Sequence, residues 1–158
     1  MSRTAPLSPT IERAGGDELD EVMEIMAAAF DPRFGEAWTR AQCAGILPMM
    51  GVSLLLARIG GEAVGFSLMR RAADEAELLL IAVRPEASGR GVGGMLVDRF
   101  IADQQAAGAH HLHLEVRDGN PAVGLYSSHG FAIAGRRHKY YRGTDGELFD
   151  ALTMVHKV

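Results

Sequence analysis

Apolar residues fall at spacings of three and four in the first third of the chain. Leu19, Val22, Met23 and Met26 follow Asp17, which can cap a helix running to about Phe30. Thr39 with Gln42 is a capping-box pattern, so a short second helix should reach about Leu47. The period then changes. "SLLLARI" and "EAVGFSLMRR" flank Gly60-Gly61 and read as an antiparallel hairpin. "EAELLLIAV" is apolar almost throughout, the pattern of a strand covered on both faces. Val92, Met95, Leu96 and Phe100 mark one side of a helix to about Ala107, and "HLHLEVR" is another strand. "NPAVGLYSSHG" reads as a short helix ended by Gly130, and "FAIAGRRHKYY" and "LFDALTMVHKV" as two closing strands. Hairpins at both ends of one strand–helix–strand crossover describe an α/β or α+β fold with a sheet of six or seven strands. Residues 1–9 read as a flexible lead and 10–158 as one domain.

Composition agrees with that picture and narrows it. At 158 residues, 47% hydrophobic and 23% charged, the chain has the balance of a single globular domain. A formal net charge of -4 argues against a nucleic-acid partner and suits a cationic substrate. The lone cysteine, Cys43, rules out an internal disulfide and any CxxC metal site. "MSRTAPLSPT" lacks the apolar core of a signal peptide, and no apolar run approaches the ~18 residues of a membrane span. A cytoplasmic protein with no membrane partner is expected.

The segment "RPEASGRGVGGML" sets Gly89, Gly91, Gly93 and Gly94 between an apolar strand and an amphipathic helix. Three readings compete. A surface turn would need no ligand. A dinucleotide site is suggested by G-x-G-x-x-G and by Glu115 at the end of the next strand. That fingerprint should begin as the strand ends, whereas Arg84–Ser88 intervene here, and no second βαβαβ half follows. The third reading is a pyrophosphate held by successive backbone amides of Gly89, Arg90, Gly91, Val92, Gly93 and Gly94. Missing side chains let the backbone close around phosphate oxygens, and the helix start adds its positive dipole end.

"IAVRPEASGRGVGGML" resembles the acetyl-CoA-binding core of the GCN5-related N-acetyltransferases, whose loop reads roughly Gln/Arg-x-x-Gly-x-Gly/Ala. Ser88 stands where the family usually has Gln or Arg. "LEVRDGN", "LYSSHGF", "RRHKYY" and "DALTM" are similar to the branch that acetylates the N-terminal alanine of a ribosomal protein. The resemblance implies a mixed, mostly antiparallel sheet, acetyl-CoA as co-substrate and a protein N-terminus, such as a ribosomal protein's, as acceptor. It also implies that the backbone of Ile81, Ala82 and Val83 pairs with the pantetheine. Asn120 joins the coenzyme-side residues by the pattern N-x-x-A-x-x-L-Y. It lies six positions before Tyr126 instead of seven, so either Asn120 or the helix start is displaced.

Acetylating an amine requires a route for its proton and a donor for the departing thiolate. Strand alternation puts Leu112, Leu114 and Val116 on one face, and His111, His113, Glu115 and Arg117 on the other. The resemblance makes Glu115 the proton acceptor and Tyr126 the proton donor. The structural alternatives are a Glu115–Arg117 ion pair and an ordinary half-buried tyrosine. His111, His113 and Glu115 also form an H-x-H-x-E trio, but no fourth ligand is evident and no metal is expected. The run Arg136–Arg142 is read as a wall of the acceptor groove in preference to an RNA patch. Two other functions remain open: acetylation of a small amine, amino acid or antibiotic, and a non-catalytic acyl-CoA sensor.

Overall fold

The computed structural model describes residues 7–157. Seven strands form one sheet in the order β1-β2-β3-β4-β5-β7-β6. They are β1 (Thr10–Ala14), β2 (Val52–Ile59), β3 (Glu62–Ala72), β4 (Glu75–Val83), β5 (His111–Arg117), β6 (Ala132–Arg142) and β7 (Leu148–Lys157). Every neighbouring pair is antiparallel except β4 and β5, which the crossover through α3 makes parallel. The expected mixed, mostly antiparallel sheet is therefore the one found. The helices are α1 (Leu19–Ala29), α2 (Arg40–Ile46), α3 (Val92–Ala106) and α4 (Ala122–Ser128).

Periodicity located most of these elements, because each buries a distinct stripe. Leu19, Val22, Ile25 and Met26 of α1 pack with Leu54, Leu56, Phe66, Leu68, Leu80 and Ala82 of the sheet. On the other face, Val97 and Phe100 of α3 join Leu112, Leu114, Val116, Leu152 and Met154. Thr39 and Gln42 close the expected capping box around α2, at 2.8 and 3.1 Å.

Two expectations at the amino-terminal end are corrected. Thr10–Ala14, given no element from the sequence, pairs with β2 as the edge strand β1. Asp17 does not cap α1: it lies inside a 3-10 turn, Gly16–Glu18, and the Glu18 carboxylate accepts from the Gly15 N–H at 2.7 Å. Of the expected lead, residues 1–6 lie outside the described residues.

Two irregularities in the ladder shape everything that follows. In β4 the register passes from Met69↔Leu78 to Leu68↔Leu80, so Leu79 is an extra residue. Leu78 packs with the α3 side, whereas Leu80 and Ala82 pack with the α1 side. The parallel ladder of β4 with β5 stops at Leu78↔Leu114. Beyond that point β4 stays with β3 and β5 stays with β7, so the two strands splay and their facing edges are unpaired.

The second irregularity is in β6, where Arg137↔Ala151 is followed by Tyr141↔Phe149. Lys139 takes a left-handed φ of 54° in this bulge. Asp150 clasps it, accepting from the Lys139 N–H at 2.9 Å and from Arg136 Nη1 at 3.0 Å.

Candidate active site

A cleft of about 350 Å³ opens where β4 and β5 part. Ile81, Ala82 and Val83 form one wall, and Glu115, Val116 and Arg117 the other. Tyr126 of α4 closes the side toward α3, while Glu36, Trp38, Tyr140 and Tyr141 close the outer side. The structure thus brings Glu115, Tyr126, Asn120 and Ile81–Val83 to one cavity.

Glu115 is held deep in it, its side chain only 8% exposed. Thr153 Oγ1 donates to its Oε2 at 2.7 Å, and Arg137 Nε donates to Oε1 at 2.9 Å. The expected alternative, an ion pair with Arg117, is not what the fold makes. Arg117 turns instead to Glu36, Nε to Oε1 at 3.0 Å, with both side chains 10% exposed. Its guanidinium carbon lies 3.7 Å from the centre of the Phe34 ring. Residues two apart share a strand face, but at Glu115 the partner comes from across the ladder, and at Arg117 from the α1–α2 connection.

Glu36 is the residue that sequence reasoning missed. Beside Arg117, it accepts from Asn120 Nδ2 at 2.6 Å. Asn120 Oδ1 accepts from the Ala122 N–H at 2.8 Å, so this side chain joins the entrance of α4 to the Glu36 carboxylate. A signal did exist: an isolated Glu in "DPRFGEAW", between two helical patterns and beside aromatic residues. Nothing in that stretch pointed to Arg117, 81 residues further along.

Tyr126 is buried, its ring edge-on to Phe131 at 6.2 Å between centroids. Burial, followed by the negative charge of Glu36, pushes its phenol well above the ordinary tyrosine value. The hydroxyl is therefore kept protonated. Burial also raises Tyr141, whose hydroxyl donates to the Glu115 backbone carbonyl at 3.3 Å. The β6 bulge explains how Tyr140 and Tyr141, neighbours in sequence, both line the cleft, where an ordinary strand would send one to each face. Other side chains of this run are tied into ion pairs with Asp118, Asp150 and Glu115.

Val83 is the last β4 residue in the cleft wall, and the glycine loop follows it after the 3-10 turn Pro85–Ala87. Gly89 and Gly91 have φ of 79° and 78°, and a Cβ at either would meet nothing within 4 Å. Their backbone is thus left-handed beside open space. Gly93 and Gly94 have another cause: a Cβ there would press on Leu125 of α4 at 3.2 Å and on His129 at 3.3 Å. Among the described residues no acceptor meets an N–H from Gly89 through Gly94, the first engaged one being Met95 on the Gly91 carbonyl at 3.0 Å. Six consecutive donors thus stand free at the start of a fifteen-residue helix. Arg90 Nη2 donates to the Leu7 carbonyl at 2.9 Å.

His113 Nε2 lies 3.8 Å from Glu77 Oε1, and both oxygens of Glu115 are already taken. Among the described residues no group of three His, Cys, Asp or Glu side chains is placed to hold a metal. No helix among them is long and apolar enough to cross a membrane.

A sheet opened between two parallel strands, with free amides after the first and a carboxylate on the second, defines a class. The chain belongs to the GNAT acetyltransferase family, whose model matches residues 19–131. It is 39% identical over 96 residues to the [ribosomal protein bS18]-alanine N-acetyltransferase of Escherichia coli K12. That alignment covers 60% of this chain and spans 64% of the length of the relative. It is 40% identical over 98 residues to the N-alpha-acetyltransferase RimI of Mycobacterium tuberculosis, covering 59% of this chain and 60% of that one. The crystal structure of the Escherichia coli ribosomal-protein-S18-alanine N-acetyltransferase superposes with a TM-score of 0.84 at 29% identity, covering 95% of this chain and 94% of that one.

Proposed function

We propose that this protein transfers the acetyl group of acetyl-CoA to the α-amine of a protein N-terminus, a ribosomal protein being the acceptor that its relatives' names suggest. The observation that carries this reading is the convergence of Glu115 and Tyr126 on a cleft whose β4 wall leads, through the Pro85–Ala87 turn, to six amides with no described acceptor. Gly89 and Gly91 suit a pyrophosphate there, because the space beside them is what a Cβ would fill. The unpaired edge of Ile81–Val83 would hold the pantetheine arm by backbone hydrogen bonds. Bound acetyl-CoA supplies a thioester whose carbonyl carbon takes the amine nitrogen as the C–S bond breaks.

The chain's own residues handle the protons. Glu115, fixed through Oε2 by Thr153, draws the proton from the acceptor amine. Tyr126, kept neutral by burial, gives its proton to the departing sulfur. Tyr140 and Tyr141 form the side by which the acceptor would enter.

An N-terminal amine suits one carboxylate base. At pH 7.5 roughly a quarter of an α-amine with pKa near 8 is neutral, against ~0.1% of a lysine near 10.4. The test is a pH–rate series on wild type and Glu115→Gln, with the acetyl group located by mass spectrometry. Two peptides are compared: one with a free small first residue, one blocked at the N-terminus and carrying lysine. Acetyl on the free N-terminus, with the Glu115→Gln rate low and partly recovering at high pH, is expected. Acetyl chiefly on lysine, or superposable pH profiles, would overturn the assignment. Turnover only of small amines, or binding without turnover, would favour the two other functions left open by the sequence.

A further inference from the structure

Two carboxylates line the cleft, Glu36 and Glu115, and their arginine partners differ in kind. Arg117 is fixed against Glu36: it is nine-tenths buried and lies on the Phe34 ring. Arg137 is bound to Glu115 from outside, its side chain 61% exposed on the edge strand β6. Among the described residues its guanidinium donates through Nε alone, and the Tyr140 ring lies 5.8 Å from its guanidinium carbon. Thr153, opposite Glu115 on β7, holds Oε2, so Oε1 is the oxygen whose partner is an exposed and displaceable cation.

We propose that Arg137 is a displaceable counter-ion whose guanidinium occupies the seat of the acceptor's α-ammonium. The inference rests on the N-terminal acetylation reading above. A nearly buried carboxylate without a partner is costly, so an empty site needs a cation. An exposed arginine supplies one at little cost to remove, because pairs of this exposure hold weakly against water. The incoming ammonium brings the same charge and the same donor type to Oε1. It releases Arg137 toward the face of Tyr140 and solvent. Arg137 then acts as a positioning residue that competes with substrate, keeping Oε1 oriented until an amine arrives.

The test compares wild type, Arg137→Gln and Arg137→Lys, each saturated with coenzyme A for binding or acetyl-CoA for turnover. The probe is a short peptide with a free alanine amine, and its N-acetylated form is the control. For Arg137→Gln we expect calorimetric Kd and kinetic KM for the free-amine peptide to fall about two- to fivefold, the range of an exposed pair. Arg137→Lys, which retains a competing cation, should stay near wild type, and the blocked peptide should respond to neither change. Binding that is weaker or unchanged in Arg137→Gln overturns the proposal, as does a loss confined to kcat. A peptide that binds no variant at all overturns it too. If no protein turns the peptide over but the calorimetric order holds, the shared seat stands and the acetyl-transfer reading fails.

Discussion

Arg117 and Glu36 meet at 3.0 Å across 81 residues of sequence, joining the end of β5 to the connection between α1 and α2. Asn120 binds the same carboxylate, so three segments that wall the cleft share one buried charge. Losing either partner leaves the other ion without compensation in a site that water barely reaches.

Glu36→Ala should therefore destabilise the fold by about 3 kcal/mol, the lower end for breaking a buried pair. Urea denaturation followed by circular dichroism measures it. Glu36→Gln, which keeps an acceptor for Arg117 and Asn120, should cost clearly less. Equal stability of Glu36→Ala and wild type would mean that the pair only decorates the wall.

Tyr126→Phe keeps the ring against Phe131 and removes only the hydroxyl. A fall in kcat of about 10²-fold is expected, with coenzyme affinity unchanged, the usual effect of losing one proton-transfer group. Steady-state kinetics beside calorimetry with coenzyme A separates the two quantities. Full activity would reduce Tyr126 to packing.

Gly91→Val sets a β-branched side chain on a backbone with φ of 78°, beside the free amides. Coenzyme affinity should drop at least tenfold while the circular dichroism spectrum persists, since the position faces open space and not the core. The control is Gly93→Ala, where the added carbon presses on Leu125 and should lower stability more than affinity. Acetyl-CoA binding by Gly91→Val at wild-type strength would leave the loop a turn and nothing more.

Alkaline pH tests the buried phenols. Burial first, then neighbouring negative charge, raises Tyr126 in the folded protein above its ordinary 10.0, and burial does the same to Tyr141. Unfolded, both ionise near that ordinary value, so above it the native state binds more protons than the unfolded one. Their contribution to stability is complete below pH 10 and is lost as pH rises toward the folded-state values. The unfolding free energy from urea denaturation should start to fall near pH 10, by up to ~1.4 kcal/mol per pH unit for each tyrosine. The slope should be shallower in Tyr126→Phe. A free energy flat to pH 11 would mean that water reaches both hydroxyls.

Elements with a repeating apolar stripe could be read from the sequence because burial itself imposes the stripe. Strand β1 could not. Only Ile11 and Ala14 of "TIERA" are even partly buried, so an edge strand held mainly by backbone bonds to β2 leaves no alternation to detect. The glycine loop was legible for the opposite reason, since its chemistry lies in the backbone and glycine announces it. Its four glycines nonetheless divide, two for a left-handed chain and two for the approach of α4. Glu115 and Tyr126 were found through a resemblance, but their partners were not. Thr153 and Arg137 reach Glu115 through strand register, and Glu36 reaches Arg117 through a connection between helices. Such meetings depend on long-range topology, which a local spacing rule does not contain.

Deleting Leu79, the extra residue of β4, would shorten the strand by one position with no charge moved and no polar group buried. Leu78 and Leu80 would then be neighbours on a regular ladder, still opposite Met69 and Leu68, so Leu80 and Ala82 would stay toward α1 and Ile81 and Val83 toward α3. What the deletion would remove is the bend and added twist at the point where β4 parts from β5, next to Leu78↔Leu114. A strand straightened there would run on beside β5, so the spare residue works as a wedge that keeps the cleft open.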